Sequence, residues 1–264
     1  MCVKVVPDPS EITFDPQTKT VNRRNARNIL NAADLNALEW ALKVKALTGA
    51  TVWTFSMGPP FAAQNLADTI AMGADDAFLV SDRALAESDT LPTSLALAKA
   101  IEKAGGADLV LCGDETSDSA TGQVPASLAE HLNYAQLTFV RDFALEPEKR
   151  ALRATRELEG GQAVVESELP CVVSVLSGSN RPRYTLFATR QGVRRAFKPK
   201  VWGIADLGLA RELVGAAGSP TRVSAVTAAP SAKRESLRIK GPPREAARKL
   251  VEALEARGAF EGVR

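Results

Sequence analysis

Histidine is almost missing from this 264-residue chain, with His131 its single example. One imidazole removes most metal-site readings and the Ser-His-Asp triads together. Cysteine is scarce too. Cys2, Cys112 and Cys171 stand far apart with no C-x-x-C pair, which excludes a zinc knuckle and fits a reducing compartment. Aromatics reach only 5%, few for a base-stacking platform. A net charge of +2 also argues against nucleic acid as a partner. No apolar run reaches the ~18 residues of a membrane helix, and MCVKVVPDPSE lacks a basic and then apolar signal pattern. The expected location is the cytoplasm, with no direct membrane insertion. G-x-G-x-x-G and G-x-x-x-x-G-K-[ST] are absent as well, so neither standard phosphate loop applies.

What is present is an ordinary globular balance, 45% hydrophobic and 24% charged. Short apolar runs alternate with helical patterns, which predicts a parallel sheet covered by helices. CVKVV (2–6), TVWTF within 51–60, AFLV (77–80) and DLVLC (108–112) read as strands. Helices are expected over 32–47, 61–72 and 91–104. In the first, Asn31 would cap, Leu35, Leu38, Leu42 and Ala46 would form the apolar face, and Gly49 would end it. From about 137 the runs LTFV, ALRATREL, AVVESEL and CVVSVL predict an antiparallel portion, with Gly160-Gly161 marking a hairpin. Residues 216–232 read as a tether, and 244–257 as an amphipathic helix with Leu250, Val251 and Leu254 on one side. The expected division is therefore 1–215 and 216–264.

The most informative stretch is LCGDETSDSATGQVPASLAEHL (111–132). A strand ends, a loop of hydroxyls and carboxylates follows, and a helix starts near Gln123 with Val124, Leu128 and Leu132 as its buried stripe. In open parallel sheets such loops lie where ligands bind. Gly122 lets backbone approach a ligand, and the amides of 121–124 could receive a phosphate. Ser117, Asp118, Ser119 and Thr121 offer partners for a ribose. The same residues could simply cap a helix and solvate a turn.

Several stretches in shared order resemble the β subunits of electron transfer flavoproteins, a group that includes the FixA proteins. They are CVKVVPD (2–8), NAADLNALEWAL (31–42), SMGPP (56–60), AMGAD (71–75), DLVLCG with SDSATGQVP (108–125) and LPCVVSV with NRPRY (169–184). TRELEGGQAVVESELPCVVSV (155–175) is the most specific. The resemblance implies a Rossmann-like α/β fold, an adenine-nucleotide-binding parallel sheet with an antiparallel portion and a C-terminal arm. It implies no catalytic acid, base or nucleophile. AMP or a second FAD would be held here, while the redox-active FAD would sit mainly on a larger α subunit, making a heterodimer. Carried over by position, the nucleotide contacts are Cys2, Asn31, Ala32, Ala33, Asp34, Met57, and the loop of Asp114, Glu115, Thr116, Ser117, Asp118, Ser119, Ala120, Thr121, Gly122 and Gln123. VSDRALAESDTLPTS (80–94) resembles the form in electron-bifurcating relatives, with Arg83 and Thr90 beside a flavin; an ordinary loop whose Thr90 caps the next helix is the alternative. The chain departs from the family at Ala32, where Asn-Pro is usual, and at Pro9 and SDSAT.

After NRPRY, residues 185–202 resemble the recognition loop that docks on acyl-CoA or other flavin dehydrogenases. Leu186 or Phe187 would be the anchor, and Arg190, Arg194, Arg195, Lys198 and Lys200 the basic flank. The resemblance implies electron passage to a membrane-linked acceptor and a C-terminal arm wrapped on the α subunit. A free-standing nucleotide sensor of universal-stress type and a ligand-free scaffold remain alternatives. His131 receives no role, and Cys112 and Cys171 are expected as buried small hydrophobes.

Overall fold

Runs of β-branched and aliphatic residues form parallel strands, and the amphipathic segments between them cover both faces. In a computed structural model describing residues 1–11, 13–15, 20–22, 26–224 and 236–260, the elements run in this order. They are β1 (Val5–Pro7), β2 (Thr13–Asp15), β3 (Thr20–Asn22), β4 (Asn28–Leu30), α1 (Ala32–Thr48), β5 (Trp53–Met57), α2 (Ala62–Met72), β6 (Asp76–Val80), α3 (Thr90–Ala104) and β7 (Leu109–Gly113). Then follow α4 (Val124–Leu132), β8 (Ala135–Glu146), β9 (Ala151–Leu158), β10 (Gly161–Glu168), β11 (Cys171–Val175), α5 (Phe187–Ala196), β12 (Lys200–Trp202), α6 (Gly215–Gly218) and α7 (Pro243–Glu255).

Two hydrogen-bonded groups of strands, β10-β9-β8-β11-β7 and β12-β6-β5, meet at residues 1–3. The Cys2 amide donates to the Leu111 carbonyl at 2.9 Å, and Val3 donates to Phe55 at 2.8 Å. So the start of the chain is the central strand, with β5 and β6 wound to one side and β7 to the other. That reversal is a topological switch point, where crevices open beyond the strand ends. The expected strand over 2–6 is split: Met1–Val3 lies between β5 and β7, whereas β1 leaves them and pairs antiparallel with β4. The cause is Asp34, whose carboxylate accepts from the Lys4 amide at 2.7 Å and interrupts the ladder.

Side chains of the central strands alternate between two apolar layers. Leu111, Cys171, Val173 and Val175 face Leu38, Leu42 and Leu66 of α1 and α2. Val110, Cys112 and Val172 face Leu97, Ile101 and Leu128 of α3 and α4. Burial on both faces explains why these strands read as continuous apolar runs. The first helix departs from its expected single stripe. Leu38 and Leu42 are buried but Ala46 is exposed, and Asn36 and Glu39 are buried instead. Its N-terminal half is also gripped by residues 179–183: Asn36 bonds Asn180, Trp40 bonds Ser179, and Glu39 takes the Arg183 guanidinium in a two-pronged pair.

The antiparallel portion is β8, β9 and β10, with Gly161 opposite Leu158 across the expected hairpin. Gly160 has φ +83°, the left-handed basin that a two-residue hairpin loop demands. β8 also runs parallel to β11, which stitches this ribbon to the parallel sheet.

The chain divides into a unit over Met1–Thr227 and a second over Ala228–Arg264. The tether expected from 216 starts later than its composition suggested. α6 and a buried Ser219 belong to the first unit, and the Ser219 hydroxyl receives the Asp89 amide at 2.8 Å. Residues 225–232 of that expected tether lie outside the described residues. In the second unit, α7 carries Leu250, Val251 and Leu254 exposed, and Lys249–Glu245 and Arg248–Glu252 ion pairs one turn apart. Among the described residues, no helix is long and apolar enough to cross a membrane.

Candidate functional site

At the switch point lies a cavity of about 580 Å³, a size suited to a small-molecule ligand. Its floor is the carboxyl end of the central strand and of β7, namely Cys2, Val3, Lys4, Cys112 and Gly113. Met57 closes it from the end of β5. The loop after β7 forms one wall, and the start of α3 with Thr221 forms the other.

The backbone of the loop wall is left open. Among the described residues, the amides of Thr121, Gly122, Gln123 and Val124 donate to no acceptor of the protein. All four residues line the cavity, and α4 begins at the last of them. Gly122 has φ +62° and Ala120 has φ +47°, so two left-handed residues turn this run toward the helix N-terminus. Consecutive free amides at that end of a helix form an anion seat. The Gln123 side chain is drawn the other way and accepts from the Thr90 hydroxyl at 2.8 Å.

Two side chains from outside hold the loop in place. The Asn31 amide nitrogen donates to the Glu115 carbonyl at 2.8 Å, and its oxygen accepts from the Ser117 amide. Asn31 therefore makes no cap bond to α1; loop backbone occupies both arms of its amide. Lys4 donates to Asp118 at 2.7 Å and reaches Ser119 and Thr116. Burial pushes the Asp118 carboxyl up, but the Lys4 ammonium holds it below its usual range.

Asp34 splices the sheet at its switch point. One oxygen accepts from Lys4 and the other from the Gly113 amide at 3.1 Å. In an unbroken parallel ladder that Gly113 amide would donate to Cys2. Burial pushes the Asp34 carboxyl up to about 7, against the pull of the two amides, Asn31 and Lys4. The unfolded value is near 3.8, so between these limits the folded chain binds more protons than the unfolded one. Stability from this group is therefore full below pH ~4 and declines as pH rises toward ~7, by at most about 1.4 kcal/mol per unit. Urea unfolding across that window should show this component in the wild type and lose it in Asp34→Asn.

Of the sequence-predicted nucleotide contacts, Cys2, Asp34, Met57, Asp114, Glu115, Thr116, Ser119, Thr121, Gly122 and Gln123 line the cavity. Asn31, Ala32, Ala33, Ser117, Asp118 and Ala120 stand behind it. Thr90 lines the opposite wall, whereas Arg83 lies away in a single 3₁₀ turn. The cap of α3 is Asp89, which accepts from the Leu91 amide at 3.0 Å, so Thr90 is left free of that duty. Asp89 also accepts from the Thr221 amide and hydroxyl. Lys4, Asp89 and Thr221 were missed. The alternation in CVKVV was the one available signal for Lys4; nothing local marks Thr221.

The segment read as a recognition loop contains a helix, α5, lying on α2. Asp68, nine-tenths buried, accepts from Arg194 at 2.6 and 2.7 Å and also from Arg190. Those two arginines are thus engaged within the chain, and Lys200 pairs with Asp76. Arg195 and Lys198 are exposed with no ion pair among the described residues. Leu186 and Phe187 project at 69% and 71% exposure.

Comparison with known proteins agrees with this architecture. The electron transfer flavoprotein domain family matches residues 18–202. An electron transfer flavoprotein subunit beta of Thermoanaerobacterium thermosaccharolyticum is 39% identical, over 97% of this chain and 96% of its own length. Protein FixA of Azotobacter vinelandii is 40% identical, over 90% and 86%. The subunit CarD of the caffeyl-CoA reductase-Etf complex of Acetobacterium woodii is 39% identical, over 84% of each. The order and position of the parallel strands, the loop after β7 and these relatives agree on one conclusion: this chain belongs to the electron transfer flavoprotein family, in its β-subunit and FixA branch.

Proposed function

We propose that this chain is the β subunit of a heterodimeric electron carrier and seats an adenylate, either AMP or the adenylate half of a second FAD, in the switch-point cavity. The observation that carries this reading is the run of four amides from Thr121 to Val124 without a partner among the described residues, in residues lining a cavity that also offers apolar walls at Leu97, Val124 and Pro125. The amides would receive phosphate. Thr116, Ser119 and Thr121 offer hydroxyls for a ribose, and Asp34 with Gly113 fixes the floor.

A bound flavin supplies the electron-carrying chemistry. For that electron transfer the chain's residues bind, orient and exclude water, and none is needed as acid, base or nucleophile. The α subunit would carry the main redox FAD, and flavin dehydrogenases, acyl-CoA dehydrogenases among them, would be the donors. Leu186 and Phe187 supply an apolar anchor for such a donor, with Arg195 and Lys198 as the charge that steers it. Electron-transfer contacts are small and transient, which suits one exposed apolar point beside exposed cations.

Denaturing the isolated complex and separating the released nucleotides tests the seat. One adenylate per β chain, above the flavin attributable to the α subunit, is the expected result. A β chain that releases none would overturn the reading. Gly122→Ala supplies a graded check. Its Cβ would meet the Asp114 carbonyl at 3.4 Å and suffer the left-handed φ, a strain of about 1–2 kcal/mol. The free loop would relax, and the ligand would have to restore it, so nucleotide affinity should fall roughly tenfold.

A further inference from the structure

Two thiols meet on the cavity floor. The bond from the Cys2 amide to the Leu111 carbonyl makes Cys112 the register partner of Cys2 in a parallel pair. Such partners lie about 4.8 Å apart and point to the same face, inside the Cα separation of about 4.4–6.8 Å that a disulfide spans. Both side chains belong to the same apolar layer and both line the cavity. Cys171 faces the other layer, away from both.

We propose that Cys2 and Cys112 form an oxidisable thiol pair, closed to a disulfide by a hydroperoxide that enters through the cavity. As neighbours on the cavity floor the two thiols act on each other: Cys112 pulls Cys2 below the ordinary thiol range, while Cys2 and burial push Cys112 well above it. In the proposed sequence Cys2 is the attacking sulfur. Its thiolate attacks one peroxide oxygen, the O–O bond breaks, and the departing hydroxide takes a proton to become water. The sulfenic acid on Cys2 is then attacked by Cys112, which gives up its proton as the S–S bond forms and a second water leaves. Two electrons and two thiol hydrogens pass to the peroxide.

The test is direct. The complex as purified is treated with graded hydrogen peroxide, its remaining thiols are alkylated in denaturant, and its peptides are weighed. The expected product is a cross-link between the peptides carrying Cys2 and Cys112, lighter by two hydrogens and released by dithiothreitol, with Cys171 alkylated throughout. Cys112→Ser should lose the cross-link and trap a sulfenic acid on Cys2 that dimedone labels. Full alkylation of both cysteines after oxidant, or oxidation of each singly without a cross-link in the wild type, would overturn the proposal. A bound adenylate would lie across this entry path, so the cross-link should form faster in complex depleted of nucleotide than in the complex as purified.

Discussion

Alanine at position 113 should lower stability by about 3 kcal/mol and abolish nucleotide retention. A Cβ there would stand 2.5 Å from the Asp34 Oδ1 and 2.8 Å from both the Ala33 carbonyl carbon and its Cβ. None of these neighbours is the loose end of a long side chain. Asp34 is fixed by two backbone amides, and Ala33 lies in the first turn of α1, so neither can yield without opening the sheet at its switch point. For a domain of this size the loss corresponds to a fall in Tm of on the order of 10 °C. Gly192→Ala is the control: its Cβ would meet nothing within 4 Å in α5, and it should stabilise slightly, by up to about 1 kcal/mol. Calorimetry of the two variants, with nucleotide content measured alongside, decides the matter. An unchanged Tm for Gly113→Ala would show that α1 moves freely against β7.

Asp68→Ala should release α5. Burial pushes the Asp68 carboxyl up, but Arg194 and Arg190 hold it below its ordinary value. Removing it strands two guanidiniums that converge on α2, at a cost of about 3 kcal/mol for a partly buried triad. Because α5 has no buried residue of its own, this triad is its main attachment, and the loss is expected to be local. Amide exchange over 187–196 should rise about a hundredfold, as about 3 kcal/mol implies, while β7 and β11 stay protected. Acid should mimic the substitution. With the folded value below the unfolded 3.8, the contribution is present above pH ~4 and is lost as pH falls through the folded value. Unchanged exchange in α5 would show that its backbone is held from elsewhere.

Legibility followed the range of the forces involved. Strands buried on both faces announce themselves by composition, so AFLV, DLVLC and CVVSVL stood out, and Gly160-Gly161 marked its hairpin through a local φ requirement. The loop after β7 was found for the same reason, since a glycine and a helix start leave local traces. The first run was misread because its second half is diverted by Asp34, about 30 residues away in sequence. Asn31 sits where a cap belongs, yet its amide is used by Glu115 and Ser117. The segment after NRPRY read as a recognition loop with a basic flank, and only the distant Asp68 ties two of its arginines onto α2.

The sequence by itself therefore determined the fold class, the family and the loop that faces the cavity, because each is written in periodicity, turn chemistry and ordered motifs. Tertiary structure alone decided that residues 1–3 form the central strand, that Lys4 and Thr221 reach the cavity, and that Cys2 lies beside Cys112. The physical reason is that these placements arise from backbone pairing and burial between segments far apart in the chain, where no local pattern records the partner.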